Sequence, residues 1–470
     1  MSQQTVSEEA SVTVAQKLRE DPAVQQSIQT LLDAIQRHQA SITGPREADP
    51  ELAEQYQKTV EEFYSLRGGK LFFPFLGSGI GKGSLVELDD GSVKYDFING
   101  IGVHHFGHSH PKVTEAMLWG AMSDAVMEGN LQQNTDSHAF SKKILEMANI
   151  GGAGFDHCFL TSCGVMAGEN ALKIAMQKKF PAHRVLAFEG CFAGRTTTFS
   201  QITDKPKFRE GLPSMLNVHY IPFYDESSGS DSIEESVTAL KAHLARYPGE
   251  FAAMIFELVQ GEGGFYTAPV EFHRALIDVL KENNVAVLFD EVQTFARTHA
   301  LFAYQHYELD ELADIVWFGK ASQVCGTLFR KEFAPRPGLL SQTFTASSGA
   351  IHAGCAILEE LDSGGYFGSD GKIARQHAYF RSHLERLCEK YPDKMAGPFG
   401  IGAMVALTPF GGEAAKVQAL LHDLYRRGVM GFIAGGNPMR FRFLIPIGAV
   451  TEADIDAVVE ILDQALAEAD

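Results

Sequence analysis

Apolar positions along this chain follow two rhythms, and the switch between them marks its organisation. Near the N-terminus the spacing is helical: Val24, Ile28, Leu31, Leu32 and Ile35 recur behind Asp21-Pro22, a carboxylate cap followed by a first-turn proline. A second helix is predicted to open in the same way at Asp49-Pro50. From about residue 110 to 330, short apolar runs take over, at 158–160, 184–188, 252–256, 285–289 and 314–318. Strands buried on both faces read this way, so a largely parallel sheet is predicted, covered by amphipathic crossovers such as 272–283. Beyond about residue 345 come long helical stretches, a last strand near 440–444, and a helix capped by Thr451 with Ile455, Val458, Val459 and Leu462 on its buried face. The pattern predicts an α/β protein: a helical segment and hairpin over 1–95 that belong to a small domain, a large domain over 96–344, and a C-terminal α+β stretch over 345–470.

Gly77, Gly79, Gly81 and Gly83 cluster around Gly81-Lys82, a pair that invites a phosphate-loop assignment. The residues do not fit one. Leu76 stands where that loop needs its first glycine, and Gly83 replaces the hydroxyl that would bind magnesium. The downstream residues are also wrong for it, because 84–88, the turn Asp89-Asp90-Gly91 and 92–97 read as a β-hairpin where a phosphate loop requires a helix.

Composition narrows the classes of partner. The 470 residues include 45% hydrophobic and 21% charged side chains, as a soluble globular chain does. At roughly 150 residues per domain the length suggests about three units, and the element pattern favours two. The 59 acidic against 40 basic groups leave a net charge of −19 with no basic stripe, which disfavours nucleic acid and anionic membranes as partners. No apolar run approaches the roughly 20 residues needed to span a bilayer. Six scattered cysteines without a CxxC pair, and no basic-then-apolar leader near Met1, point to the reducing cytoplasm.

Candidate chemistry sits just past the predicted strand ends, where α/β sheets place their sites. After 285–289 comes Asp290-Glu291-Val292-Gln293: a carboxylate at the end of a buried strand, which needs a cationic or hydrogen-bonding partner unless it simply starts a solvated loop. After 314–318 comes Gly319-Lys320, a lysine outside the charged helical stretches. Its stem either enters an interior site, where its pKa falls and it becomes a carbonyl nucleophile, or snorkels at a sheet edge. A third strand end leads into Ser162-Cys163-Gly164-Val165-Met166-Ala167-Gly168 and a helical run, a start small enough to bind an anion on backbone N–H groups, although many such starts hold only water. Cys163 there is either a reactive thiolate or a packing and phosphate contact. An acid, an apolar face residue, a lysine and a phosphate-sized helix start at successive strand ends are together what pyridoxal phosphate requires.

From about Leu85 to the C-terminus these residues resemble the class III (ω-type) aminotransferases, members of the fold type I pyridoxal phosphate enzymes. Separate segments match in order: Tyr95-Asp96-Phe97 to Gly107-His108-Ser109-His110-Pro111, Phe192-Ala193-Gly194-Arg195-Thr196, Glu257-Leu258-Val259-Gln260-Gly261-Glu262-Gly263-Gly264, Asp290 to Gln293, and Gly319-Lys320. The resemblance implies a large cofactor-binding domain, a smaller α+β domain, and pyridoxal 5'-phosphate held by Lys320 as an internal aldimine. It implies that Asp290 pairs with the pyridinium nitrogen, that Val292 and Phe192 cover the two ring faces, and that Gln293 reaches the phenolic oxygen. Cys163, Gly164 and Val165 match the phosphate segment, with Thr343 in Gln342-Thr343-Phe344 contributing from the second subunit of a homodimer. Arg195 matches the arginine that grips a substrate carboxylate, and Glu262 the acid that pairs with a C-terminal arginine, Arg442 by its spacing to Pro446, with Arg440 a competitor two residues away.

The implied activity is transfer of an amino group from an ω-amine or amino-acid donor to a keto acid, 2-oxoglutarate by analogy, through pyridoxamine phosphate. A decarboxylase, racemase or aminomutase would carry the same lysine and aspartate. The stretch Gln323-Val324-Cys325-Gly326 is similar to lysine ε-aminotransferases, while 4-aminobutyrate and ornithine-type donors fit the rest equally. Where the family has Ser-Gly-Thr-Glu this chain has Cys163-Gly164-Val165-Met166, so phosphate binding must lean on backbone amides. After the bridging threonine motif, Thr345, Ala346 and Ser347 replace the usual glycines and asparagine. His104, His105, His108 and His110 crowd one loop without an acid or cysteine at ligand spacing, so no metal site is expected.

Overall fold

A computed structural model describes residues 12–123 and 127–469. Contacts divide the chain into residues 1–43 and residues 44–470. In the first unit the helix Pro22–Gln39 starts where expected, with the Asp21 carboxylate accepting from the Ala23 N–H and proline in the first turn. Ile28 and Leu32 are buried, but Leu31 is 52% exposed. It lies about 100° around the helix from Leu32, beyond the edge of the narrow apolar stripe.

The second unit is built around a seven-stranded sheet, in the order His157–Thr161, Cys325–Phe329, Ile315–Phe318, Ala286–Asp290, Phe251–Phe256, Arg184–Phe188, Asn217–Ile221. The last five run parallel, and Cys325–Phe329 is antiparallel to both its neighbours, so the sheet is mostly parallel as expected. Each apolar run expected from the sequence forms a strand within two residues of its place. Phe251–Phe256 and Ile315–Phe318 are buried along their whole length, and burying each large apolar side chain stabilises the fold by about 1.5–3 kcal/mol. Crossover helices such as Val270–Glu282 seal the faces through Phe272, Leu276, Ile277 and Leu280.

Two strands of this sheet escaped the sequence pattern. Asn217–Ile221 is a half-exposed edge with polar residues, and Cys325–Phe329 holds Gly326, where a Cβ would lie 2.8 Å from the Phe318 ring. The glycine cluster is itself a strand, Gly77–Lys82, antiparallel to Leu85–Leu88, which pairs with Val93–Asp96 across the predicted turn. Val93–Asp96 continues, in parallel, onto Val429–Met430 from the far end of the chain. The C-terminal stretch carries a second sheet, Met395–Ile401, Met404–Pro409, Met439–Leu444 and Phe432–Gly435. Its final helix Glu452–Glu468 has Thr451 and Asp454 in a reciprocal capping box, with Ile455, Val458 and Leu462 buried and Val459 half-buried.

Candidate active site

The carboxyl ends of the parallel strands converge on one cavity of about 310 Å³. Nine of the expected residues line it: Gly164, Val165, Phe192, Arg195, Glu262, Asp290, Val292, Gln293 and Lys320. The other three stand apart. Cys163 is the N-cap of the helix Gly164–Lys179 with its side chain exposed, Arg442 lies behind Glu262, and Thr343 is exposed on a loop outside the cavity.

Lys320 follows its strand by one glycine, and the structure gives the reason. Gly319 is extended, and a Cβ there would sit 2.6 Å from the Cys325 sulfur. Lys320 itself takes a left-handed conformation (φ 54°), a cost tolerated where it aims a functional side chain. Its Nζ donates to Gln293 Oε1 at 2.5 Å. Burial, with the nearby Arg297 and Arg442 guanidinium groups, pulls the amine down to about 8 against the opposing pull of Glu262 and Asp290. An amine in that range is partly neutral near physiological pH, as a nucleophile or proton carrier must be.

Asp290 ends its strand opposite Trp317, three residues before Lys320 on the neighbouring strand. Its Oδ1 accepts the Val292 N–H at 3.0 Å. Burial lifts its carboxyl to about 7, only partly offset by that hydrogen bond and by Lys320. Glu291, next to it, points away from the cavity, accepting from the Ala303 and Tyr304 N–H groups at 2.9 Å each and from the Thr294 hydroxyl. Burial raises it to about 7 as well. Its place is in the scaffold.

Val292 faces Gly164 so closely that a Cβ on the glycine would lie 2.8 Å from Val292 Cγ1. The helix begun by Gly164 has no side-chain cap, which leaves its first N–H groups free for an anion. Arg195 is exposed at the rim, its guanidinium 4.0 Å from the centroid of Phe208 and 5.9 Å from that of Phe192. The four-residue turn Gly261–Gly264 presents Glu262 to the same cavity. Arg442, fully buried, donates to Glu262 Oε1 and to the Gly261 carbonyl at 3.0 Å. Burial raises the Glu262 carboxyl, but Arg442 outweighs this and holds it below the usual range. Arg440 does not compete for the acid: it donates to the Gly264 carbonyl at 2.6 Å and lies between the rings of Tyr266 and Phe399.

Two residues given no role by their sequence belong to this site. Glu257 accepts from the Phe192 N–H at 2.8 Å and the Gly261 N–H at 3.1 Å, tying two walls together, and burial together with Asp290 lifts it to about 8. Arg297 is buried and donates to the carbonyls of Gln293 and Gly102, fixing the loop that carries Gln293. The strand-end position of Glu257 was a usable signal, whereas the carbonyl partners of Arg297 leave none. In the histidine loop, His108 is bonded to Asp96 at 3.0 Å and His105 is buried.

The residues fit pyridoxal phosphate. A lysine and a carboxylate share one cavity, an uncapped helix start opens into it, and Gln293 Nε2 is buried there with no protein partner among the described residues. The family model described as Aminotransferase class-III matches residues 76–466. An acetylornithine aminotransferase of Methanocaldococcus jannaschii is 31% identical over 405 residues, covering 83% of this chain and 92% of that protein. An L-lysine-epsilon aminotransferase of Mycobacterium tuberculosis is 30% identical over 373 residues, 73% of this chain and 80% of the relative. The solved lysine aminotransferase from M. tuberculosis, in its internal aldimine form, superposes with a TM-score of 0.78 at 24% identity, covering 87% of this chain and 99% of that one, and shares the fold. With the family match over most of its length, this chain belongs to the class III aminotransferases, enzymes of fold type I that depend on pyridoxal 5'-phosphate.

Proposed function

We propose that this aminotransferase takes its amino group from an ω-amine or amino-acid donor and delivers it to a keto acid, 2-oxoglutarate. The observation that carries the proposal is a cavity that holds Lys320 and Asp290 together with Glu262, whose carboxylate is paired with the buried Arg442. Pyridoxal phosphate, when bound, supplies an electron sink for the carbon that loses its proton. The helix start at Cys163, Gly164 and Val165 would hold its phosphate through backbone N–H groups, because no hydroxyl stands at position 165. Val292 and Phe192 would cover the ring faces, Asp290 would meet the ring nitrogen, and Gln293 Nε2 the phenolic oxygen.

Lys320 Nζ would hold the aldehyde carbon at rest and, once displaced by the donor, would move the proton from the donor carbon to that former aldehyde carbon, the same transfer running backward in the acceptor half. Arg195 would grip a substrate carboxylate through a planar fork. The Glu262 and Arg442 pair would give one site two specificities: closed, it shows an ω-amine donor a neutral wall, and open, it offers Arg442 to the acceptor carboxylate. The names of the acetylornithine and lysine-epsilon relatives support donors of those types.

The working unit would be a cytoplasmic homodimer, with Thr343 reaching the second subunit's phosphate site. Support comes from exposed apolar side chains around that loop: Leu131 is 98% exposed beside the contact of Gly129 with Thr343, and Met117, Met122 and Phe344 are also open. All six cysteines are free, as a reducing compartment allows. The large domain over 96–344 would bind the cofactor, with the hairpin of 1–95 grouped with 345–470, in keeping with the pairing of Val93–Asp96 and Val429–Met430.

The test is a pair of half-reactions on cofactor-loaded enzyme. A ¹⁵N-labelled donor alone should release one keto product per site, and 2-oxoglutarate added after donor removal should acquire the label. Release of carbon dioxide, or donor returned racemised or rearranged without label transfer, would support a decarboxylase, racemase or aminomutase instead.

A further inference from the structure

The Glu262 turn separates two cavities. Gly261 and Glu262 line the active-site cavity, while Gln260 and Gly263 line a second one of about 540 Å³ with Lys205, Tyr266, Asn437 and Pro438. Lys205 is half-buried there, and its Nζ lies 3.5 Å from the Glu262 carbonyl oxygen, at the outer limit of a hydrogen bond. Among the described residues no carboxylate stands within ion-pair distance of Lys205. Glu262 thus stands between two cations, one bonded to its carboxylate and one that reaches its backbone carbonyl and pulls on the carboxylate only through space. Glycines flank the acid on both sides, so no neighbouring side chain of the turn blocks a swing of the Glu262 side chain, and Gly264 adopts φ +131°, a conformation L side chains rarely take.

Opening the gate takes the Glu262 carboxylate off Arg442. A carboxylate parted from its cation in a desolvated place pays heavily unless a second cation or water receives it. We propose that Lys205 is that second cation, a positioning residue that receives Glu262 in the open state and so frees Arg442 for the acceptor carboxylate. The proposal rests on the gate described above. Glu262 has three other charged groups near it, namely Arg442, Lys320 and the Glu257 carboxylate. Arg442 is the partner being left, Lys320 is engaged with the reacting carbon, and Glu257 repels. Lys207 lines the far cavity too, with Asp204 and Glu189, but among the described residues Lys205 is the lysine of that cavity that reaches the turn carrying Glu262. Acceptor affinity then scales with the fraction of enzyme in the open state, which Lys205 raises.

Glutarate, a dicarboxylate that cannot accept an amino group, reports the open state by calorimetry on the cofactor-loaded enzyme. Lys205→Met should weaken glutarate and raise the 2-oxoglutarate KM by roughly three- to tenfold, leaving the donor half-reaction within about twofold. Lys205→Arg should restore both. In a Glu262→Ala background, where Arg442 is permanently unmasked, Lys205→Met should change nothing further; Glu262→Gln serves if the alanine variant does not fold. Equal weakening with and without Glu262 would mean that Lys205 attracts the anion directly, and would overturn the proposal, as would no weakening in either background. If Glu262→Ala itself leaves glutarate affinity and both half-reactions unchanged, the gate fails and Lys205 falls with it. A gate that responds to Glu262→Ala but not to Lys205→Met stands without Lys205.

Discussion

The two sides of the active-site cavity are built on different terms. On one side Asp290, Val292, Gln293 and Lys320 ride on the ends of adjacent parallel strands, cross-braced by Glu291 beneath and by Arg297 behind. On the other, Glu262 rides on a four-residue glycine turn held at its two ends by arginines from one strand, Arg442 on the Gly261 carbonyl and Arg440 on the Gly264 carbonyl. Under the proposed function, chemistry that must be aimed would sit on the strand-end side, and selectivity that changes between half-reactions would sit on the turn. Glu257 ties the turn to the loop that carries Phe192, with one carboxylate oxygen on each.

Substitutions on the rigid side should abolish the reaction, and those on the turn should redistribute specificity. Lys320→Ala should lower transamination by more than about 10³-fold with the far-ultraviolet circular dichroism unchanged. Asp290→Ala should lower kcat by about 10²-fold or more if, as proposed, Asp290 meets the ring nitrogen. A milder probe of the same side is pH. With the Lys320 amine near 8, capture of pyridoxal phosphate by the cofactor-free protein should rise about tenfold per pH unit below that value, where the neutral amine is the minor form, and level off above it.

On the turn, Arg442→Lys should raise the acceptor KM by about tenfold through loss of the planar fork, whereas Arg440→Lys should change it by less than about threefold. The smallest effect separates the neighbouring acids. Glu291 is lifted from an ordinary value near 4 to about 7, so its stabilising contribution is full below the lower value and is lost as pH rises through the upper one. Glu291→Gln should therefore flatten the fall in Tm between about pH 5 and pH 8. Melting curves of the two proteins check it.

How much of this was legible depends on where each residue finds its partners. The parallel strands were legible because burial on both faces leaves no polar alternation, and the residues at their ends followed from the rule that α/β sheets place sites there. The edge strand Asn217–Ile221 was not, since half-exposure restores polar residues to its pattern. The spacing to Pro446 already favoured Arg442, but Arg440 stayed a competitor because both lie on one strand face, and the turn's position decides which guanidinium meets Glu262. Arg297 was invisible for another reason, because backbone carbonyls come with every residue and carry no signature.

The central claim is that Lys320 holds the cofactor in this cavity. Borohydride reduction of the loaded enzyme, followed by proteolysis and mass spectrometry, tests it most directly. The phosphopyridoxyl group should be found on the peptide carrying Lys320, and prior addition of an amine donor should remove it. Labelling of another lysine, or none in an enzyme that still turns over, would contradict the account.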